Sequence, residues 1–239
     1  MTEVDFPYDN RTGRPPGRVV RAMGLLLPGV RRVWSQVEPY ADAWHAANRA
    51  ALQEPGRRWI VLGDSMSQGI GATSPERGWV GQLHRRLADD GHDLVLVNLS
   101  ATGARVPDLL DQQLPALASI EAREDDVVTV LVGSNDMFAG AESREALPEA
   151  FRALLERLPR GAVVATLPPN RSVATSTNVH IAAAGDAGRV RVVDLATAGP
   201  SSWRGKLAAD FFHPNDVGYA AIADAFEPLV RRAVTDRSG

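Results

Sequence analysis

Trp59-Ile-Val-Leu-Gly-Asp-Ser65-Met-Ser-Gln-Gly-Ile-Gly71 is the stretch on which the fold turns. Its four leading apolar residues read as a buried strand that runs into Gly63-Asp64-Ser65 and then a loop of small residues. A serine delivered at the C-terminal end of a buried strand lies where an open α/β sheet collects its chemistry. Gly, Asp and Ser are also common turn residues, so the stretch alone leaves an ordinary strand-to-loop turn equally open. What the other strand ends carry decides between the two.

Downstream, strand, loop and helix alternate. Trp79, Leu83 and Leu87 mark one face of a helix ending near Asp90-Gly91, and Leu94–Val97 is a second short apolar run. Val106 to Ile120 is amphipathic, with Pro107 allowed in a first turn and Pro115 a kink. Val127–Val132, Ala162–Leu167 and Val190–Val193 are three further strands. Helices are expected over 144–158, 178–187 and 216–234. Five short apolar runs alternating with helices predict a three-layer α/β sandwich around a mainly parallel five-stranded sheet. Right-handed crossovers then bring all the strand C-terminal ends to one edge.

Upstream, residues 1–17 are polar and read as a poorly ordered tail. Val33, Val37, Tyr40, Ala41, Trp44, Ala47 and Ala51 recur at helical spacing, with Pro39 expected to kink or divide that helix before Glu54-Pro55-Gly56 ends it. The division expected is therefore a tail and helical extension over 1–55 and a catalytic domain over 56–236. Between Asp9 and Glu38 stand Arg11, Arg14, Arg18, Arg21, Arg31 and Arg32 with no acid, around the apolar run Ala22–Val30. Three readings stay open: a signal peptide, a basic segment on a membrane surface, or a helix packed on the domain with its arginines in solvent. The first is weakened by Pro28-Gly29 inside the run and Arg31-Arg32 after it, so the expected location is the cytoplasm, with weak peripheral membrane contact left open.

Composition narrows the chemistry. The 239 residues include no cysteine, which excludes a disulfide framework, Cys-ligated zinc and a cysteine nucleophile. A net charge of −3 supplies no global attraction to nucleic acid. No apolar run approaches the roughly 18–20 residues of a membrane span. No cluster of His and carboxylates has ligand spacing, so neither a metal nor another cofactor is expected.

Four strand ends carry polar groups toward one crevice: Gly63-Asp64-Ser65, Asn98–Arg105, Gly133-Ser-Asn135-Asp136, and the longer segment Asp210-Phe-Phe-His213-Pro214. Acyl transfer needs a nucleophile, a base, a group that orients the base, and donors for an oxyanion. Ser65 can serve as nucleophile, His213 as base and Asp210 as orienting acid. The N–H groups of Ser65 and Gly103 and the amide of Asn135 can receive the oxyanion. Asp64 reads as an acceptor that stiffens the nucleophile loop. Asp136 and Arg105 flank the site. Trp203, Phe211 and Phe212 either line an acyl pocket or pack in the core, and His84, His92 and His180 read as surface or loop residues.

These blocks, in this order, resemble those of the SGNH hydrolases, the GDSL-like esterases and lipases. Gly63-Asp64-Ser65 is similar to the nucleophile block, with Met66 where the family name has leucine. Gly103 resembles the oxyanion glycine, Gly133-Ser-Asn135-Asp136 the block whose Asn completes the hole, and Asp210-Phe-Phe-His213-Pro214 the acid–base block. The resemblance spans about 58–236. It implies a flavodoxin-like fold and metal-independent hydrolysis of a small-molecule or lipid ester, or of a thioester, through an acyl-serine. Acyl transfer to an alcohol or sugar by the same intermediate is the alternative, and a non-catalytic membrane-surface module a more distant one. The α/β-hydrolase elbow does not fit, because Ser67 stands where its second glycine belongs.

Overall fold

The computed structural model describes residues 6–15, 27–169 and 171–236. The apolar runs form β1 (Arg58–Gly63), β2 (Val95–Asn98), β3 (Val127–Leu131), β4 (Ala162–Ala165) and β5 (Val190–Val193). All pair in parallel, in the spatial order β2-β1-β3-β4-β5, with Val61 opposite Asn98 and Gly63 opposite Leu131. This is the flavodoxin-like order. The sequence of strands reverses direction between β1 and β3, which opens a crevice beyond their C-terminal ends.

The helices are α1 (Pro28–Trp34), α2 (Val37–Ala51), α3 (Ser65–Gln68), α4 (Trp79–Asp89), α5 (Val106–Asp108), α6 (Leu114–Ser119), α7 (Ser134–Phe138), α8 (Ala141–Arg157), α9 (Ser172–Asp186), α10 (Leu195–Ala198) and α11 (Asp216–Asp236). Period-two alternation in β1 sends Trp59 and Val61 to one face, against Leu83 of α4 and Phe226 and Val230 of α11. Ile60 and Leu62 go to the other, against Leu109, Phe151 of α8 and Ile181 of α9. Each such side chain contributes roughly 1.5–3 kcal/mol on burial, so the two faces together hold the three layers. Trp79 stacks on Phe226 with ring centroids 4.2 Å apart, which joins α4 to α11.

Several element boundaries differ from expectation, each for a local reason. The segment after Val106 is helical through Ser119, as expected, but a π turn at Leu109–Gln113 joins α5 to α6 just ahead of Pro115, with right-handed helical backbone angles at both junctions. α9 starts at Ser172, six residues before the expected 178. Its first turns are rich in Ser and Thr, which read as loop, but Ser176 and Thr177 donate to the carbonyls of Ser172 and Val173 one turn back. In the N-terminal region the helical run is divided between Trp34 and Val37, and Pro39 lies in the first turn of α2. Ala47 is exposed, and Asn48 takes the inward position instead.

Residues 6–15 are not the loose tail that their polarity predicts. Phe6 and Asn10 are buried, and Tyr8 donates to Leu99 O at 2.6 Å. Asn48 of α2 donates to Asn98 O and accepts from Asn98 N, both at 2.8 Å, so it covers the hydrogen-bonding edge of β2 in place of a further strand. Arg11 is held by Glu38 and Asp42, and Arg14 by Asp108. Arg18, Arg21 and most of the apolar run 22–30 lie outside the described residues. Among the described residues, no helix is long and apolar enough to cross a membrane.

Candidate active site

Ser65 is the first residue of α3. Asp64 caps that helix by accepting from Met66 N at 3.0 Å, which turns the chain sharply out of β1 and leaves Ser65 at the crevice. The bend requires glycine at 63, where a Cβ would lie 2.3 Å from Leu131 O. The Asp64 carboxylate also accepts from Ser134 Oγ at 2.8 Å, so the acceptor role expected of it extends to the loop after β3. Burial raises its pKa, against the hydrogen bonds from Met66 and Ser134.

The loop before α11 delivers the imidazole. Asp210 Oδ1 accepts from Phe212 N at 3.1 Å and His213 N at 3.0 Å, and its Oδ2 lies 2.6 Å from His213 Nδ1. Closing this three-residue span puts Phe211 in the left-handed region, with φ of +57°. His213 Nε2 lies 2.9 Å from Ser65 Oγ. Gly71 makes the approach possible: a Cβ there would stand 2.8 Å from His213 Cβ and 2.5 Å from Pro214 O. Burial pushes the Asp210 carboxyl up, but the hydrogen bond and charge of His213 and the two main-chain donors outweigh it, so its pKa lies below the ordinary carboxylate value. Ser65, His213 and Asp210, 148 and 3 residues apart in the chain, form one continuous hydrogen-bonded line.

Three donor groups are the ones the sequence reading assigns to the oxyanion. The N–H groups of Ser65 and Gly103 meet no acceptor among the described residues. Gly103 has φ of +80°, a conformation that glycine adopts without strain. Asn135 Nδ2 donates to Ala104 O at 2.9 Å, which orients the amide, and makes a longer contact of 3.5 Å to Asp64 Oδ2. Asp136 is buried, with Val106 N 3.1 Å from its Oδ2, and ties the loop after β3 to the start of α5. Burial pushes its pKa up to about 7, with the Val106 hydrogen bond opposing.

Sequence reasoning missed the amides that hold these loops in register. Gln68, fully buried one turn after Ser65, accepts from Thr102 N at 2.8 Å and donates to Ser100 O at 3.0 Å. Gln113 pairs with both main-chain groups of Gly63, at 2.9 and 2.8 Å. Gln68 has a signal in its spacing from Ser65. Gln113 has none, because it reaches Gly63 from the π turn.

Aromatic rings frame the base. Phe212 meets His213 edge to face at 4.9 Å, Phe138 meets Phe212 at 5.5 Å, and the Arg171 guanidinium sits 4.9 Å above Phe138. Arg171 also lines a cavity of about 510 Å³ with Arg144, Pro148 and Val173. Trp203, Phe211 and Phe212 are exposed by 41, 78 and 37%, so the core-packing reading of these three is excluded. His84 is half-buried, 2.7 Å from Leu94 O, instead of lying on the surface.

Residues 61–221 match the model of the GDSL-like Lipase/Acylhydrolase family. This chain belongs to that family. The GDSL-family hydrolase is 30% identical over 176 residues to Esterase TesA of Pseudomonas aeruginosa, an alignment covering 68% of this chain and 82% of that one. It is 34% identical over 84 residues to an Arylesterase of Vibrio mimicus, covering 32% and 42% of the two chains. The crystal structure of TesA superposes with a TM-score of 0.58 at 25% identity, over 74% of this chain and 99% of that one. The GDSL-family protein is thus a serine ester hydrolase acting on small-molecule esters.

Proposed function

We propose that this hydrolase cleaves a carboxylic ester through a covalent acyl-serine formed on Ser65. The observation that carries the reading is the unbroken line Ser65 Oγ, His213 Nε2, His213 Nδ1, Asp210 Oδ2, with spacings of 2.9 and 2.6 Å. Ser65 Oγ attacks the ester carbonyl carbon as its proton passes to His213 Nε2. The carbonyl π electrons move to oxygen, and that oxyanion is received by the N–H groups of Ser65 and Gly103 and by Asn135 Nδ2. The C–O bond to the alcohol then breaks, and the alcohol leaves with the proton from His213. Water repeats the sequence on the acyl-serine: His213 takes its proton, and the acid and Ser65 are released. Asp210 holds the imidazole in the tautomer with its proton on Nδ1 and stabilises the imidazolium.

The test is Ser65→Ala with a p-nitrophenyl ester, alongside covalent labelling of the wild type by an organophosphonate. The expected result is loss of nearly all turnover with an intact fold, and a single adduct on Ser65. Full turnover in the variant, or an adduct elsewhere, would overturn the mechanism.

A further inference from the structure

Residues 8–14 lie outside the segment that matches the family, which begins at 61, yet they run along the loop that carries Gly103. Their side chains take its main-chain acceptors almost in succession. Asn10 Nδ2 donates to Asn98 O at 2.7 Å and Ser100 O at 2.9 Å, and Tyr8 Oη to Leu99 O at 2.6 Å. Thr12 Oγ1 donates to Thr102 O at 3.3 Å, and Arg14 Nη1 to Gly103 O at 3.0 Å. The remaining carbonyl in this stretch, Ala101 O, accepts from Ala104 N at 3.0 Å.

Two of these contacts bear on chemistry. Thr102 C=O and Gly103 N–H belong to one planar peptide and point in opposite directions. A donor held on Thr102 O therefore sets where Gly103 N–H points. Gly103 O belongs to the next peptide, so Arg14 sets the plane on the other side of the same α-carbon. Glycine resists neither rotation by itself, having no Cβ to bias it. Arg14 is in turn held by a fork to Asp108, at 2.7 and 2.9 Å, and Asp108 accepts from Arg105 N at 2.7 Å. The guanidinium thus links the two ends of the Gly103–Asp108 segment.

We propose that residues 8–14 form a strap that holds the Gly103 N–H aimed at the oxyanion, with Thr12 and Arg14 as positioning residues. The inference rests on the reading of Gly103 as an oxyanion donor and goes beyond it by assigning a role to a segment outside the matched domain. Their contacts are to the Gly103 loop and to Asp108. Both act by keeping a peptide plane from rotating before the transition state forms, when a misplaced donor is most costly.

The experiment compares Thr12→Val, Arg14→Ala and the double variant with the wild-type full chain, using a p-nitrophenyl ester and thermal unfolding. Thr12→Val is nearly isosteric and guards against misfolding. The expected result is a fall in kcat of about tenfold in each single variant and about a hundredfold in the double, with KM within about twofold and the unfolding temperature nearly unchanged. Added guanidinium ion at non-denaturing concentration partly restores Arg14→Ala. Wild-type kcat in all three variants overturns the proposal. So does a loss of activity that only follows loss of folded protein and is not restored by guanidinium. Ser65→Ala measured in parallel separates the two readings: activity persisting there removes the nucleophile, whereas an inactive Ser65→Ala beside fully active strap variants removes the strap alone.

Discussion

Replacing Asp210 by asparagine tests whether the carboxylate sets the tautomer of His213. Asp210 uses Oδ1 to accept from two main-chain N–H groups, those of Phe212 and His213, and presents Oδ2 to His213 Nδ1 at 2.6 Å. An asparagine in the same pose has one oxygen and one NH₂ to place. Turning the NH₂ toward the two main-chain donors would oppose three N–H groups with no acceptor between them. The oxygen therefore stays there, and the NH₂ faces Nδ1. His213 must then accept at Nδ1 and carry its proton on Nε2, the nitrogen 2.9 Å from Ser65 Oγ. A protonated Nε2 cannot take the serine proton. In chymotrypsin-type serine proteases a wrong-tautomer substitution of this kind lowers kcat by about 10⁴, equivalent to about 5.4 kcal/mol in the barrier. The same order of loss is predicted for Asp210→Asn, measured as kcat on a p-nitrophenyl ester with near-ultraviolet circular dichroism to show an intact fold. Asp210→Ala leaves Nδ1 free to bond water and is expected to be no slower. A folded Asp210→Asn variant within tenfold of wild type would refute the tautomer argument.

Asn135→Ala removes the side-chain donor proposed for the oxyanion and one hydrogen bond to Ala104 O. It is expected to lower kcat by about 10²–10³ with little change in KM, at a stability cost of about 1 kcal/mol; a change confined to KM would count against an oxyanion role. Asp136→Asn addresses pH. Asp136 has its folded pKa raised to about 7, whereas an unfolded aspartate titrates near about 3.9. Between those values the folded state keeps a proton that the unfolded state releases, so stability falls as pH rises through that window and levels off above it. The asparagine variant lacks this slope, so its stability relative to wild type should rise by up to roughly 4 kcal/mol from pH 4 to 7. Denaturant melts at several pH values measure the difference; a flat one would show that Asp136 is ionised throughout.

The strands are legible in the sequence because each is a short apolar run closed by Gly, Pro or a polar residue, and a doubly covered parallel sheet imposes that pattern. The candidate site residues are legible for a related reason. Ser65, Gly103, Asn135 and His213 stand at or beyond strand ends, where apolar periodicity stops and a polar residue needs a reason to be present. The helical boundaries at 106–119 and 172 are less legible, since a π turn and back-bonded Ser and Thr side chains hide the period. The supporting amides are the least legible. Asn10, Asn48 and Gln113 lie between 50 and 90 residues from the main-chain groups they serve, and no local pattern announces a partner that distant.

By itself, the sequence determined that a parallel sheet would bring a serine, a glycine, an asparagine and an Asp–His pair to one edge, because parallel strands joined by handed crossovers have their C-terminal ends on the same side. Only the tertiary structure decided that the polar N-terminal segment over 6–15 packs on the domain and meets the Gly103 loop. That contact is made through carbonyl groups, which every residue has, so it leaves no mark in the identity of the residues contacted. Burial fraction and hydrogen-bond geometry are properties of the packed chain, and they alone distinguish a strap from a tail.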